Sequence, residues 1–513
     1  MAATAVGAGI LVSRLAGVVR VRLISHYFGQ QSPTVDAFNA AIRIPNLLQN
    51  LFGEGALSGS FIPVHSALRA RGEHEAAAQT ARTFFAILTS TIAVLVLLGV
   101  LAAPLMTAVL APGFEGPKRD LTIRLVRILF PGAGLLVASA WCLGVLNSHG
   151  KFLLSYTAPV AWNAAMIATL VMFGGRHDMD TLAIYLAWGS VAGSFLQVAV
   201  QWPFAWSLSH HRGGFVINEW VRQIGRNFVP VTISRGAVQL NASVDQFIAS
   251  WLPDGAVTGL ANAQLLYTLP VSLFGVSISA AELPALSGDA AARDSLAGYA
   301  PFRARLDASL RRLAFFIIPS AVALAALGDV IAGTVLQTGH FRAEDARYVW
   351  GILAGSSIGL LASTMSRLYS VAHYALSDAK RPLRYALVRL AVSAAVGSLA
   401  ALVLPGAIGL DPRWGAAALT AASALAGWIE FVLLRSSVND RIGKTGLEFS
   451  YAIRLWSAAF VGAAVAWAAK VALPPVHPIV RGAVVLPAFG IAFIAFAALL
   501  RVPVPIRIPG LRR

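Results

Sequence analysis

Cysteine, acid and long polar loops are what this chain has least of. Cys142 is the only cysteine among 513 residues. That excludes an intramolecular disulfide and any cysteine-based metal site. Asp, Glu, Lys and Arg together make up 12% of the chain, about half the share of a soluble globular domain, so a water-soluble fold of this size is excluded. Acids are scarcer still, with 23 Asp and Glu against 40 Lys and Arg and a net charge of +17. In a soluble chain this imbalance would point to nucleic acid. Here the basic residues lie mostly in short loops, where they set topology, and no nucleic-acid partner is expected. No loop exceeds about 30 residues, less than a soluble catalytic domain needs. A GxxxxGK[ST] phosphate loop is absent, so direct ATP hydrolysis has no seat. His210–His211 reads as a solvated loop pair rather than a metal site. The chain is expected to be no enzyme and to need neither metal nor cofactor.

What the chain does have is apolar length: 57% hydrophobic residues and a mean hydropathy of +0.70. A membrane span needs about 20 apolar residues, and about fourteen such segments are found. They centre near residues 15, 48, 97, 134, 163, 193, 238, 270, 325, 361, 393, 424, 461 and 490. The fold class is therefore an all-α polytopic membrane protein. The first segment begins at Ala2 with no basic region before it, so it reads as a span rather than a cleavable signal. The second and eighth segments carry Pro45, Glu54, Pro270 and Glu282 and read as broken or water-facing helices. Loop arginines and lysines number about 18 on the even side against about 8 on the odd side, which puts both termini in the cytoplasm. A weak repeat runs through the chain. "FGEGALSGSFIP" (52–63) echoes "FGVSISAAELP" (274–284), and "TAVLAPGF" (107–114) echoes "GTVLQTGHF" (333–341), each pair about 225 residues apart. Paired repeats of this kind mark transporters. They suggest two lobes of about six spans, residues 1–210 and 211–438, followed by two extra spans in 439–513.

Charges inside the spans carry the functional signal. A charge at mid-bilayer costs roughly 3 kcal/mol on insertion scales, yet "LVSRLAGVVRVRLISHYFG" holds Arg14, Arg20 and Arg22. Arg22, near the span's end, is expected to snorkel. At 100° per residue Arg14 and Arg20 each lie about 60° from Gly17, flanking one stripe. They are expected to line a hydrated cavity and meet an anion, since the guanidinium fork pairs bidentately with phosphate. The next span carries Asp36, Arg43 and Glu54. Its Pro45 is expected to break the helix, and Glu54 to pair with Arg14 or Arg20 or to take a coupling proton or cation. Arg235, Asp245, Glu282 and Arg367 are candidates for the same cavity.

These residues also carry a resemblance. "SRLAGVVR", "DAFNAAIRIPNLLQNLFGEGALSGSFIPV", "APGF", "GVLNSHGKF", "PALS" and "HYALSDAKRP" resemble signatures of the MurJ (MviN) lipid II flippases, which share a superfamily with multidrug (MATE) and polysaccharide exporters. The resemblance implies two lobes around a cationic cavity and a groove near the last two spans for a polyprenyl tail. It implies a bacterial inner-membrane protein of peptidoglycan and cell-wall biogenesis that moves lipid II to the periplasmic leaflet. Partners would be lipid II, membrane lipids and a coupling proton or monovalent cation. By resemblance Arg14 and Arg20 match cavity arginines, Asp36 the family's acid, and Glu54 the glutamate of its A/G-E-G-A motif. Diphosphate binding is expected of Arg14, Arg20, Arg43 and Arg235, and gating or ion coupling of Asp36, Glu54 and Glu282. The chain departs from the pattern at Val21, Gln49 and Gln264–Leu265, where the family often has Asp, a basic residue and Asp-Arg. Arg43 and Arg235 are expected to compensate. Export of another polyprenyl-diphosphate-linked glycan and a non-transporting scaffold stay open as alternatives.

Overall fold

The computed structural model describes residues 2–210, 214–291 and 298–503. His211 lies outside them, as do Arg212 and Arg293, two of the loop arginines counted above. The described residues are helical, with one isolated bridge between Thr338 and Phe341. Two compact units emerge. One runs to Thr258 and includes Thr338–Phe341; the other comprises Gly259–Gln337 and the chain from Arg342 onward.

The first unit holds α1 (Ala2–Phe28), α2 (Pro33–Phe52), α3 (Glu54–Ala70), α4 (His74–Leu101), α5 (Ala103–Leu110), α6 (Gly116–Ser148), α7 (Phe152–Thr157), α8 (Pro159–Phe173), α9 (Met179–Leu208) and α10 (Glu219–Ala249). α6 is its axis. One core cluster joins α6 (Leu125, Phe130) to Phe38 and Ile44 of α2 and Leu186 of α9. A second joins Trp141 of α6 to Phe61 of α3 and Phe84 of α4. α9 turns a polar stripe inward, formed by Ser190, Ser194, Gln197 and Gln201, at helical spacing. There Gln197 Nε2 donates to Ser139 Oγ at 2.9 Å, and Ser139 Oγ donates to Gln201 Oε1 at 2.7 Å. With no water in a hydrocarbon core, such groups must satisfy one another.

The helix break falls at Gly53, not at Pro45. Pro45 sits inside an unbroken α2, while Gly53 takes φ −84° and ψ −148° and its N–H reaches Gln49 O. A proline removes one donor and crowds one carbonyl, which a buried helix can absorb as a local loss; the chain turns at Gly53, where a Cβ would come 2.3 Å from Gln49 O.

The second unit holds α11 (Ala256–Pro270), which starts in the first unit's sequence, then α12 (Ser277–Ala291), α13 (Ala300–Leu336), α14 (Ala343–Ser357), α15 (Leu360–Ala375), α16 (Lys380–Leu402), α17 (Leu404–Ala407), α18 (Gly415–Ile442), α19 (Phe449–Ala472) and α20 (Pro478–Leu499). A π-helical turn, Val271–Val276, follows Pro270. α13 is the axis here. α19 docks on it through Lys470 Nζ–Asp329 Oδ2 at 2.5 Å and through Tyr451 OH, which donates to Arg311 O at 3.1 Å. Gly351, Gly355 and Gly359 form a small-residue stripe on and just beyond α14. A Cβ at Gly355 would sit 2.6 Å from Ala417 O, and one at Gly359 would sit 2.7 Å from Ala424 Cα. Close backbone approach of this kind is how membrane helices associate without a hydrophobic driving force.

By length and composition ten described helices can cross a membrane, or eleven if the pair Ala343–Ser357 and Leu360–Ala375, bent by 43°, counts as one span. The fourteen counted from sequence are not reproduced by this measure. α3 has only 17 residues, α2 is broken up by Asp36, Arg43 and several amides, and α10 carries Arg222, Arg226, Arg235 and Asp245.

Packing at the glycine stripe is testable. Gly355→Ala should lower stability by about 1–3 kcal/mol through overpacking. Gly427→Ala on α18, where a Cβ meets nothing within 4 Å, should be neutral or stabilising by about 0.5–1 kcal/mol. Thermal unfolding of the purified variants in detergent reads both; equal melting points would remove the close-approach account.

Candidate functional site

Asp36 lies in the first turn of α2 and is 1% exposed. Its carboxylate accepts from the Gly255 N–H at 2.8 Å, from the Thr258 N–H at 2.8 Å and from the Thr258 hydroxyl at 2.6 Å. Lys118 Nζ lies 3.1 Å away and 2.7 Å from Asp254. Gln30 Nε2 donates to Gly255 O at 2.8 Å, and Asn39 Nδ2 to Thr258 Oγ1 at 3.1 Å. Gly255 adopts φ +91°, a left-handed conformation that a side chain would strain. A buried charge is tolerable when it is paired and all its lone pairs are used, and that condition is met here.

The arginines of α1 are placed differently from each other. Arg14 is exposed. Arg20 is folded back onto α8, with its guanidinium carbon 4.4 Å from the centre of the Trp162 ring. Its Nη1 contacts Met166 Sδ at 3.9 Å, and its Nε is buried with no partner. No carboxylate pairs with Arg20 among the described residues. The two arginines share a helix, as the sequence requires, but only Arg20 is enclosed.

Glu54 is set beside neither of them. The Arg235 guanidinium lies against Gly55 and offsets the Glu54 charge; glycine at 55 leaves it the room. This corrects the expected pairing of Glu54 with Arg14 or Arg20. Arg43 is likewise offset, by Asp245 of α10. The two arginines expected to compensate for Gln49 and Leu265 thus each have an acid near enough to act on them electrostatically. Glu282, in the second unit, is buried and stands 3.6 Å from Arg312 Nη1 of α13.

In the second unit α15 is buried on most sides. Its open face carries Ser363, Arg367, Ser370, Val371 and Tyr374, and Tyr267 OH lies 2.8 Å from Ser363 Oγ. A lipid-facing stripe would be apolar, so an open stripe with an arginine in it belongs against water. Just past α15, Asp378 gathers Arg441 Nη2 at 2.7 Å and Arg381 Nε at 3.5 Å. Burial alone would raise its carboxyl. The Arg381 N–H and the Arg441 and Arg381 charges outweigh that and hold it below its ordinary value. The quoted "HYALSDAKRP" element is therefore a tie between α16 and α18. Among the described residues, no group of three or more His, Cys, Asp or Glu is arranged to hold a metal ion.

The arrangement is thus one enclosed arginine within a helical membrane scaffold. A sequence profile described as "Lipid II flippase MurJ" matches residues 24–479. The chain belongs to the MurJ family. It is 31% identical over 462 residues to the probable lipid II flippase MurJ of Rhizobium tropici, covering 88% of this chain and 82% of that protein. It is 31% identical over 392 residues to the lipid II flippase MurJ of Burkholderia cenocepacia, covering 74% and 73%. Among solved structures it is similar to a lipid II flippase MurJ in an inward closed conformation, with TM-score 0.78 and 21% identity over 96% of this chain and 98% of that one. It is also similar to an inward-facing MATE-family multidrug resistance transporter of the MOP superfamily, with TM-score 0.65 and 15% identity over 83% and 95%. At these identities the structures speak for the fold alone. These relatives are named as transporters, not enzymes.

The Asp36 network predicts a large loss on truncation. Asp36→Ala strips Lys118 and three donors of their acceptor and should cost about 3–5 kcal/mol; Asp36→Asn, which keeps one acceptor, should cost less. Thermal unfolding in detergent measures both, and an unchanged melting point for the alanine variant would contradict the network as drawn.

Proposed function

We propose that this MurJ-family chain moves lipid II, a polyprenyl-diphosphate-linked peptidoglycan precursor, from the cytoplasmic to the outer leaflet of the bacterial inner membrane by alternating access. The observation that carries this is Arg20: a guanidinium packed on the middle of α8, with no acid beside it among the described residues and an Nε left without a partner. A diphosphate supplies the missing charge and acceptors, and the arginine fork matches it bidentately. Arg14, exposed on the same helix, is the second diphosphate ligand, with Arg43 and Arg235 as helpers that must release their acids to take part. Release of Arg235 gives Glu54 its proposed role in gating or ion coupling, and Asp36 and Glu282 take the same role through their own partners, Lys118 and Arg312. A proton or monovalent cation then biases the exchange of partners, and the membrane potential adds about 2.3 kcal/mol per charge per 100 mV.

Residues 1–210 and 211–438 act as the two lobes, with 439–513 appended, and both termini lie in the cytoplasm. The loop excess of basic residues supports this orientation. In a Cys142→Ala background, Glu115→Cys should react with an impermeant thiol reagent from outside the cell, and Gly288→Cys only after permeabilisation. Both positions are exposed, and Cys142 itself is buried. Labelling of both from one side would remove the orientation.

The function is tested by rescue of cells depleted of their own lipid II flippase. The unaltered chain should restore growth. Arg20→Ala should abolish rescue at normal membrane levels, and Arg20→Lys should rescue poorly because a point charge lacks the fork. Full rescue by both variants would remove the diphosphate site. Failure of the unaltered chain, when it is correctly inserted, would favour the non-transporting scaffold.

A further inference from the structure

Trp162 is out of place. Tryptophan in membrane proteins gathers at the interfaces, yet Trp162 lies near the middle of the 22-residue span Phe152–Phe173. Arg20 is out of place for the opposite reason, being a cation at that depth. The two meet: the guanidinium sits over the indole at 4.4 Å. The ring is itself fixed, because its Nε1–H donates to Ser190 Oγ of α9 at 3.1 Å. The α8 backbone at Trp162 also packs closely on α9, since a Cβ at Gly193 would come within 2.9 Å of Trp162 Cα. A line of contacts thus runs from α9 through α8 to α1 and ends on an arginine without an acid.

We propose that Trp162 is a positioning residue that holds Arg20 in place for the phosphate-class anion, a role that elsewhere would fall to a carboxylate. Val21 leaves no acid next to Arg20 in sequence. An aromatic face attracts the guanidinium electrostatically but does not neutralise it. The ring packs against the guanidinium without using up its N–H donors, and of these Nη1 meets only the Met166 thioether, a weak acceptor that an anion can displace. A carboxylate partner would occupy those same donors, and the diphosphate would have to displace it. The Ser190–Trp162 hydrogen bond sets the angle of the ring and hence the direction of the fork. This inference rests on the reading of Arg20 as a diphosphate ligand.

The test is binding of undecaprenyl diphosphate, undecaprenyl monophosphate and neutral undecaprenol to the full chain in lipid nanodiscs. Trp162→Leu should weaken diphosphate binding about 5- to 30-fold, the span of cation–π contacts from exposed to desolvated sites, and leave undecaprenol binding unchanged. Trp162→Phe, which keeps a π face, should retain most of the affinity. Ser190→Ala, which leaves the indole in place but unanchored, should give a smaller loss and serves if the leucine variant is not recovered folded. In an Arg20→Ala background, Trp162→Leu should have no further effect. Equal loss for diphosphate and undecaprenol, or additive losses in the double variant, would make Trp162 a packing residue and overturn the inference while leaving the anion site standing. Unchanged diphosphate binding in Arg20→Ala alone would remove the anion site, and this inference with it.

Discussion

The rest of this structure depends on the cost of an unpaired charge in hydrocarbon. Every ionisable group inside the bundle must be matched by a partner or be open to water. Most are matched. Asp36 has four donors around it, Glu430 has Arg389 at 3.0 Å, Asp329 has Lys470 and Glu282 has Arg312. Arg43 and Arg235 are each offset by an acid. Against that background Arg20 stands out, enclosed on an aromatic ring and a thioether. Arg14 and Arg367 are exposed, so water can match their charge, whereas Arg20 is left for the anion of the proposed function.

The same constraint shapes the scaffold. Helices that cannot drive association by burying apolar surface rely on small residues and shared polar groups. The glycines at 351, 355 and 359 and the serine and glutamine stripe of α9 are two forms of that solution. The backbone departs from α-helix at corresponding places in the two echoing segments. Phe52–Gly53 is the break between α2 and α3, and Phe274–Gly275 lies in the π-helical turn after Pro270. The second repeated element is also matched: α5 ends at Leu110 and α13 at Leu336, each followed by the turn that the two sequences share.

Much of this was legible in the sequence, and the illegible part has a physical cause. Apolar length alone specifies an all-helical membrane protein. It miscounts spans where a helix is polar, as in α2 and α10. Proline invited a break at Pro45 because its local cost is easy to see, whereas the need for a bare Cα at Gly53 shows only in the close approach of Gln49 O. The G-x-x-x-G-x-x-x-G spacing at 351–359 stood in plain view and signals close packing. Pairings were the hard part. Asp36 finds its donors 219 and 222 residues away, and nothing local in "SRLAGVVR" says that Arg20 will lie on Trp162. Helical phase put Arg14 and Arg20 beside one stripe, but only tertiary contact decides which of them is enclosed.

Direct measurement of lipid translocation tests the central claim. Purified protein would be reconstituted with lipid II in liposomes, and the fraction reached from outside by a membrane-impermeant reagent followed in time. The account predicts that lipid II from the inner leaflet becomes accessible much faster than in protein-free liposomes, and that Arg20→Ala returns the rate to background while remaining folded. A folded, unaltered chain that leaves the rate at the protein-free level, with and without an imposed membrane potential and ion gradient, would contradict it.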